Sequence, residues 1–400
     1  MVESSSFLPH LPLSWEALEA LAPEEPDRIE GPTSSQARLR LFGQPLASVR
    51  VVLYRDHHAW CPYCQKVWLW LEERQVPYRV EKVSMVCYGA KESWFTRLVP
   101  SGLLPALALD GQLITESDVI LQALEDSFGP LGFSLQDPAV LPLRQLERDL
   151  FRAWCQWLCS PGAEAQGKHR FELQLARVCG ALDQSPTDFF LGDFSSADLV
   201  FVPYLERMVS SLLYYKDYEL CRLWPAIERW FAALEQRSTY RGTQSDHHTH
   251  AHDLPPQMGG CYGIGPAESR PWASRIDHGP YIDLGDSRQP APADAAQEAL
   301  GRVLKHRHNL LSVHSSLSEL ALRAALTRLI TAEPCGPPPG SDLGLRSLRD
   351  RICVPRDMGL HAARALRQAL EDTAALAGGR QGPALQLRQR RDQNPQPFLV

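Results

Sequence analysis

The chain of 400 residues contains no apolar run of about eighteen residues, the length a membrane-spanning helix needs, so no segment reads as a membrane span. A surplus of positive charge is also missing. Lysine and arginine number 41 against 47 acidic residues, and the resulting net charge of −6 argues against general nucleic-acid binding. Residues 1–30 hold seven acidic residues and one arginine, with no basic start before an apolar stretch, a pattern of neither a secretory nor a transit sequence. Lysine disappears from residue 341 onward, where ten arginines face six acidic residues; this mildly basic end reads as a solvated face rather than a binding arm. C-x-x-C occurs once, so the second ligand pair of a structural zinc site is lacking.

What is present describes a soluble globular protein. Hydrophobic residues make up 44% and charged residues 22%, and the length accommodates two or three domains with ample core. Ten cysteines without a signal sequence fit a reducing compartment, where thiols do chemistry or pack as small hydrophobes. A cytoplasmic, prokaryotic protein is expected; the chloroplast stroma enters only for a eukaryotic alga.

The single C-x-x-C lies in Trp60-Cys61-Pro62-Tyr63-Cys64-Gln65-Lys66, between a strand pattern over Val49–Tyr54 and a helix pattern carrying Val67, Leu69, Trp70 and Leu71. Cys61 is thereby placed where the helix begins, and Pro62 suits the first helical position. Unpaired N–H groups and the positive end of the helix dipole stabilise a thiolate there. The reading is of Cys61 as nucleophile and of Cys64, one turn on, as a more buried thiol able to close a disulfide with it. The alternatives are a structural zinc site and two core cysteines.

Further along, Tyr78–Val83 alternates as a strand does, and Leu107–Ile114 reads as a hairpin turned at Asp110-Gly111. Thr115-Glu116-Ser117-Asp118 offers a cap for a helix over Val119–Leu124. The stretch resembles the thioredoxin-like N-terminal domain of glutathione transferases. The likeness rests on CPYC, on Leu104-Pro105 in the position of the family's cis-proline, and on Glu116-Ser117 in the position that binds the γ-glutamyl end of glutathione. Residues 138–240 are expected to be helical, with a capping box at Ser195-Ser196-Ala197-Asp198 and Trp224-Pro225 opening a helix, and both resemble features of the family's all-helical second domain. Cys155, Cys159, Cys179 and Cys221 fall on apolar faces and read as core. The implied organisation is an arm over 1–46 packing on the body with a short helix at Ser14–Leu21, a thioredoxin-like glutathione-binding domain over 47–129, an all-helical domain over 130–242, and a mostly helical or irregular extension over 243–400. Helices are expected there at Asp294–Leu311, Leu317–Thr331 and Leu360–Leu376. The extension, together with CPYC and its context HHAWCPYCQKVWLWLEE, makes the chain look most like the Iota class, found in photosynthetic organisms.

His247, His248, His250 and His252, flanked by Asp246 and Asp253, open the extension. Alternation would put His248, His250 and His252 on one side of an extended segment, a spacing able to hold zinc or another divalent ion. The competing reading, a loop whose histidines hydrogen-bond back onto the body, is preferred, because beyond the flanking aspartates no ligand of recognised spacing completes a metal set. Pro255-Pro256 and Gly259-Gly260 point to a turn path rather than a helix.

A cysteine in place of the family's usual Tyr or Ser implies a glutathione-dependent thioltransferase of glutaredoxin-like chemistry. Its expected activities are deglutathionylation and dehydroascorbate-type reduction, on small-molecule or protein mixed disulfides, with glutathione as cosubstrate. In that resemblance Cys61 and Cys64 act on sulfur, while Tyr63, Lys66, Leu104, Pro105, Glu116 and Ser117 surround glutathione. Lys66 is equally readable as a solvent-facing helical residue. The rival function is a weakly catalytic or non-catalytic protein binding a flavin, haem or other apolar ligand, with specificity from the extension. Conjugation of electrophiles is disfavoured by the cysteine. A monomer is preferred to a homodimer, since the extension could occupy the usual interface.

Overall fold

A computed structural model describes residues 11–162, 164–313 and 316–377; residues 1–10 of the expected arm and 378–400 of the extension lie outside the described residues. Along the first third run α1 (Trp15–Ala20), β1 (Leu39–Arg40), β2 (Val51–Asp56), α2 (Pro62–Glu73), β3 (Tyr78–Val83), α3 (Ser93–Leu98), β4 (Ala106–Leu109), β5 (Gln112–Thr115) and α4 (Ser117–Phe128). The strands form one sheet in the order β1-β3-β2-β4-β5. β2 and β3 are parallel and the other pairings antiparallel, giving a thioredoxin-like mixed sheet. The expected hairpin is present. Asp110 and Gly111 both have positive φ, at 51° and 81°, the backbone that a two-residue turn between twisted strands requires.

Register decides which residues meet. Tyr54 of β2 pairs with Ala106 of β4, and Ala106 with Thr115 of β5. What lies just past this row therefore gathers at one edge of the sheet: the turn from Asp56 to Cys61, the pair Leu104-Pro105, and Glu116-Ser117. It is also the edge at the carboxyl ends of the parallel strands, where open sheets commonly bind ligands.

Helices α5 (Val140–Cys159), α6 (Glu164–Asp183), α7 (Ser196–Lys216), α8 (Leu220–Leu223), α9 (Pro225–Glu235) and α10 (Ser238–Thr243) follow. The expected helical region is thus real, broken by a connection at 184–195. α7 is buried along its entire length and forms the axis of this part. Both halves of the capping box are made: Ser195 accepts from the backbone of the first turn, and Asp198 accepts from Ser195 N at 3.1 Å. Pro225 takes the start of α9, as its missing N–H permits. Among the four cysteines read as core, Cys179 is buried; Cys155, Cys159 and Cys221 are half-buried. Cys159 hydrogen-bonds with Cys261 of the extension, which holds its thiol below the ordinary value.

The extension contains α11 (His247–Met258), α12 (Pro271–His278), α13 (Ala295–Val313), α14 (Glu319–Thr331), α15 (Asp342–Arg351) and α16 (Leu360–Leu376). Three of these match expectation; α11, α12 and α15 do not. The short helix expected in the arm is present, with Ser14 as its cap; Leu18 packs into a second core made by the extension, with Leu300, Leu322, Leu326, Leu366 and Leu370, while β1 extends the sheet. Chain end and chain start therefore fold together.

The histidine segment is a helix, not an extended turn. Asp246 caps it by accepting from Thr249 N at 2.9 Å, and Arg367 of α16 pairs with the same buried carboxylate. Pro255 withdraws the N–H that would bond the carbonyl of Ala251, but the Tyr215 hydroxyl of α7 donates to that oxygen at 2.8 Å. A partner from another helix thus repairs the break that the proline pair announces.

Arg367 also donates to Ile352 O at 2.7 Å, so its charge is enclosed by two partners. Changing Arg367→Met should strand a buried carboxylate and cost about 3–5 kcal/mol in urea unfolding, with Asp246→Asn in the same background restoring part of it. Equal stability of wild type and Arg367→Met would contradict the role assigned to this pair.

Candidate active site

Strand β2 ends at Asp56, the chain turns through Ala59 in a left-handed backbone conformation, with φ 53°, and α2 begins with Pro62 in its first turn. Cys61 is the residue immediately before the helix, and its own side chain makes no capping bond. The turn is held at both ends of Trp60: its N–H donates to Asp56 Oδ2 at 2.7 Å, and its carbonyl accepts from Arg207 of α7. The Cys61 sulfur stands 4.0 Å from the carbonyl oxygen of Leu104, and the Leu104–Pro105 peptide is cis, as expected. Cys64 hydrogen-bonds with Cys61; burial, helped by that bond, pushes the Cys64 thiol well above its ordinary value. None of the ten cysteines is in a disulfide.

Three residues that the sequence did not single out surround the sulfurs. Asp56 is fully buried, and one of its oxygens lies with both sulfurs in a group whose atoms are all within 4.8 Å. Arg207 is enclosed, its guanidinium 4.5 Å from the centre of the Trp60 ring, with donor bonds to Gln65 Oε1 at 2.9 Å and Pro203 O at 2.6 Å. Its charge and that of Lys91 act on the sulfur of Cys61. A further contact comes from the extension: His250 Nδ1 accepts from Trp60 Nε1 at 3.0 Å. Glu206, next to Arg207, carries this link onward, with Gln65 Nε2 at 2.7 Å, Ser245 N at 2.6 Å and His250 Nε2 at 3.5 Å. Lone arginines and glutamates inside a long helix carry no sequence signal for this. The histidine cluster did, since the preferred reading had its side chains hydrogen-bonding back onto the body.

The remaining expected residues divide. Tyr63 is partly exposed, its ring 5.9 Å from that of Tyr204, and burial of the hydroxyl raises its pKa. Lys66 is not solvent-facing: it is 4% exposed and its ammonium pairs with Asp118 in the first turn of α4, which Arg144 approaches at 3.4 Å. Glu116, not Thr115 or Ser117, occupies the cap position of α4, in a left-handed conformation with φ 66° and no side-chain capping bond. Ser117 is buried behind it. Cys61, Cys64, Leu104 and Pro105 thus form one cluster, and Glu116 and Ser117 share its sheet edge. Lys66 and Asp118 bridge α2 to α4.

Fold and site together define a thioredoxin-fold protein with a dithiol at the start of its first sheet-packed helix and an all-helical part behind it. Residues 60–127 match the family model for the glutathione S-transferase N-terminal domain. Glutathione S-transferase DHAR3, chloroplastic, of Arabidopsis thaliana is 26% identical over 189 residues, covering 46% of this chain and 69% of that protein. Glutathione S-transferase DHAR2 of the same plant is 26% identical over 186 residues, covering 46% and 84%. Residues 60–127 are thus similar to the N-terminal domain of glutathione S-transferases, and the likeness to the two plant relatives runs over nearly half of the chain. Among solved structures, a Chlamydomonas reinhardtii dehydroascorbate reductase aligns at 21% identity with a TM-score of 0.45, covering 53% of this chain and 99% of that one. No helix among the described residues is long and apolar enough to cross a membrane.

His250→Phe should leave the buried indole N–H of Trp60 without an acceptor and lower stability by about 1–3 kcal/mol. Adding Trp60→Phe should recover part of that loss, because both polar partners are then gone. Additive losses in the double variant, measured by urea denaturation, would disprove the coupling.

Proposed function

We propose that the protein is a glutathione-dependent thioltransferase in which Cys61 is the nucleophile. The observation that supports this most directly is the free Cys61 thiol at the start of α2, facing the Leu104 carbonyl, with Cys64 hydrogen-bonded to it. Cys61 stands at the start of a helix, with the charges of Arg207 and Lys91 acting on its position.

In this reading the Cys61 thiolate attacks the glutathione sulfur of a mixed disulfide, and the substrate thiolate leaves. A glutathionyl–Cys61 disulfide results. A second glutathione thiolate then attacks the glutathione sulfur and releases oxidised glutathione, restoring Cys61. Alternatively Cys64, giving its proton to Asp56, attacks Cys61 and releases reduced glutathione, leaving an internal disulfide that two further glutathione molecules reduce. Burial holds Cys64 protonated, which makes the first route the main one. Reduction of a dehydroascorbate-type substrate uses the same two electrons from two glutathione molecules.

Glutathione would extend along the sheet edge, its cysteine moiety beside the Leu104 backbone and its γ-glutamyl carboxylate at Ser117 and the first N–H groups of α4. The positive φ of Glu116 sets that helix start at the edge beside Pro105. Tyr63 borders the sulfur position, and Lys66 contributes through Asp118 rather than by direct contact.

Thiol transfer from a glutathionylated small disulfide should fall about 10³-fold or more in Cys61→Ser, as for loss of other nucleophiles, and persist at most of its rate in Cys64→Ser. Equal rates for Cys61→Ser and wild type would refute the assignment. In the native protein near neutral pH, iodoacetamide followed by peptide mass mapping should label Cys61 before Cys64, whose thiol is held protonated by burial.

A further inference from the structure

Folding the histidine segment as a helix changes which of its side chains meet. His248 and His252 are four residues apart on α11 and share a face, with ring centres 4.7 Å apart, while His250 points to Trp60 and Glu206. The shared face meets Asp277 of α12. One ring nitrogen of each histidine and one Asp277 oxygen all lie within 4.8 Å of one another. His248 is fully buried, His252 is 5% exposed, and His252 Nε2 is 2.7 Å from Asp277 Oδ1.

We infer that His248, His252 and Asp277 form a binding site for a divalent first-row transition metal that ties α12 to α11. Two imidazoles at i and i+4 on a helix, completed by a ligand from a neighbouring element, match a known zinc-binding geometry. Tetrahedral zinc with bonds near 2.0–2.1 Å places its ligand atoms about 3.3 Å apart, so closing this triangle takes side-chain adjustments of an ångström or so. On binding, the proton between His252 and Asp277 is released and the metal takes its place; water completes the coordination. A supporting partner already exists. The Tyr214 hydroxyl donates to the other Asp277 oxygen, Oδ2, at 2.8 Å, and its ring lies 5.2 Å from that of His252, so carboxylate and imidazole are both held in place.

This site is separate from the group of Asp56, Cys61 and Cys64, and a test must keep them apart. The full-length untagged protein carrying Cys61→Ser and Cys64→Ser is stripped with chelator, loaded with Zn²⁺ or Co²⁺, and analysed for bound metal and for its cobalt spectrum. One equivalent per chain is expected, with ligand-field bands, no sulfur-to-cobalt charge transfer, and a raised thermal midpoint. Asp277→Asn and His252→Gln should abolish stoichiometric binding. Tyr214→Phe keeps the ring and should weaken affinity about 10–100-fold, which decides the matter if the ligand variants fold poorly. Absence of stoichiometric metal in the Cys61→Ser, Cys64→Ser background would overturn the inference. So would a thiolate-type cobalt spectrum, or unchanged affinity in Tyr214→Phe together with Asp277→Asn.

Discussion

Arg207 sits inside α7 with its guanidinium shut away from water, and a buried charge of this kind is tolerable only while every partner is in place. Its partners are the Trp60 carbonyl, the Gln65 side chain and the Pro203 carbonyl, with the Trp60 ring beneath it. The first two belong to the turn and helix that carry Cys61 and Cys64. Glu206, its neighbour, supplies the opposite charge and reaches Gln65, Ser245 and His250. One pair of residues on the central helix therefore connects the dithiol turn, the helical part and the first helix of the extension. None of the three can shift without exposing or orphaning a charge, which costs several kcal/mol.

The arm and the extension close the same circuit from outside. Ser35 bonds to Pro355 O, Gln36 to the carbonyls of Arg356 and Asp357, and the buried Arg55 of β2 donates to Ser35 O. Ser245 reaches Val354 O, and Val354 N donates to Thr249 at 3.0 Å. The loop between α15 and α16 is thus held between the arm and α11, and α1 completes the core of the extension. Placed between the sheet and α7 on one side and α12–α16 on the other, α11 makes the extension part of the body. A loosely attached lid would not bury Asp246, Arg367 and four histidines in this way.

The features legible in the sequence are those whose causes are local. Pro62 opens α2, Asp110-Gly111 turns the hairpin, Ser195 and Asp198 cap α7, and Trp224-Pro225 opens α9, each within a few residues of its partner. The placement of Cys61 came from the strand and helix patterns on either side of it, and the cis peptide at Leu104–Pro105 from the family likeness. What was not legible depends on distant partners. Lys66 is buried because of Asp118, 52 residues on; Gln65 is oriented by Glu206 at a separation of 141; and Trp60 meets His250 at 190. The histidine segment failed for the same reason. Two prolines and two glycines weaken the helix locally, and the contacts that outweigh them, from Tyr215 and Arg367, lie far off in the chain.

The Lys66–Asp118 contact also alters how the start of α4 is understood. An aspartate in the first turn suits the helix dipole but repels any anion approaching the same N–H groups. Burial would raise the Asp118 carboxyl, yet Lys66 and Arg144 hold it below the ordinary carboxylate range, so it is charged. Lys66 and Arg144 therefore offset the Asp118 charge beside the positive end of the helix. Lys66 is supplied by the helix that begins at Cys61, and burial prevents it from turning toward solvent. In the proposed reading, the same α2 presents a thiol at its start and, one turn later, offsets the Asp118 charge that would otherwise repel a carboxylate at the start of α4. Those are the two ends that an extended thiol-bearing peptide with an acidic terminus needs to find along one sheet edge.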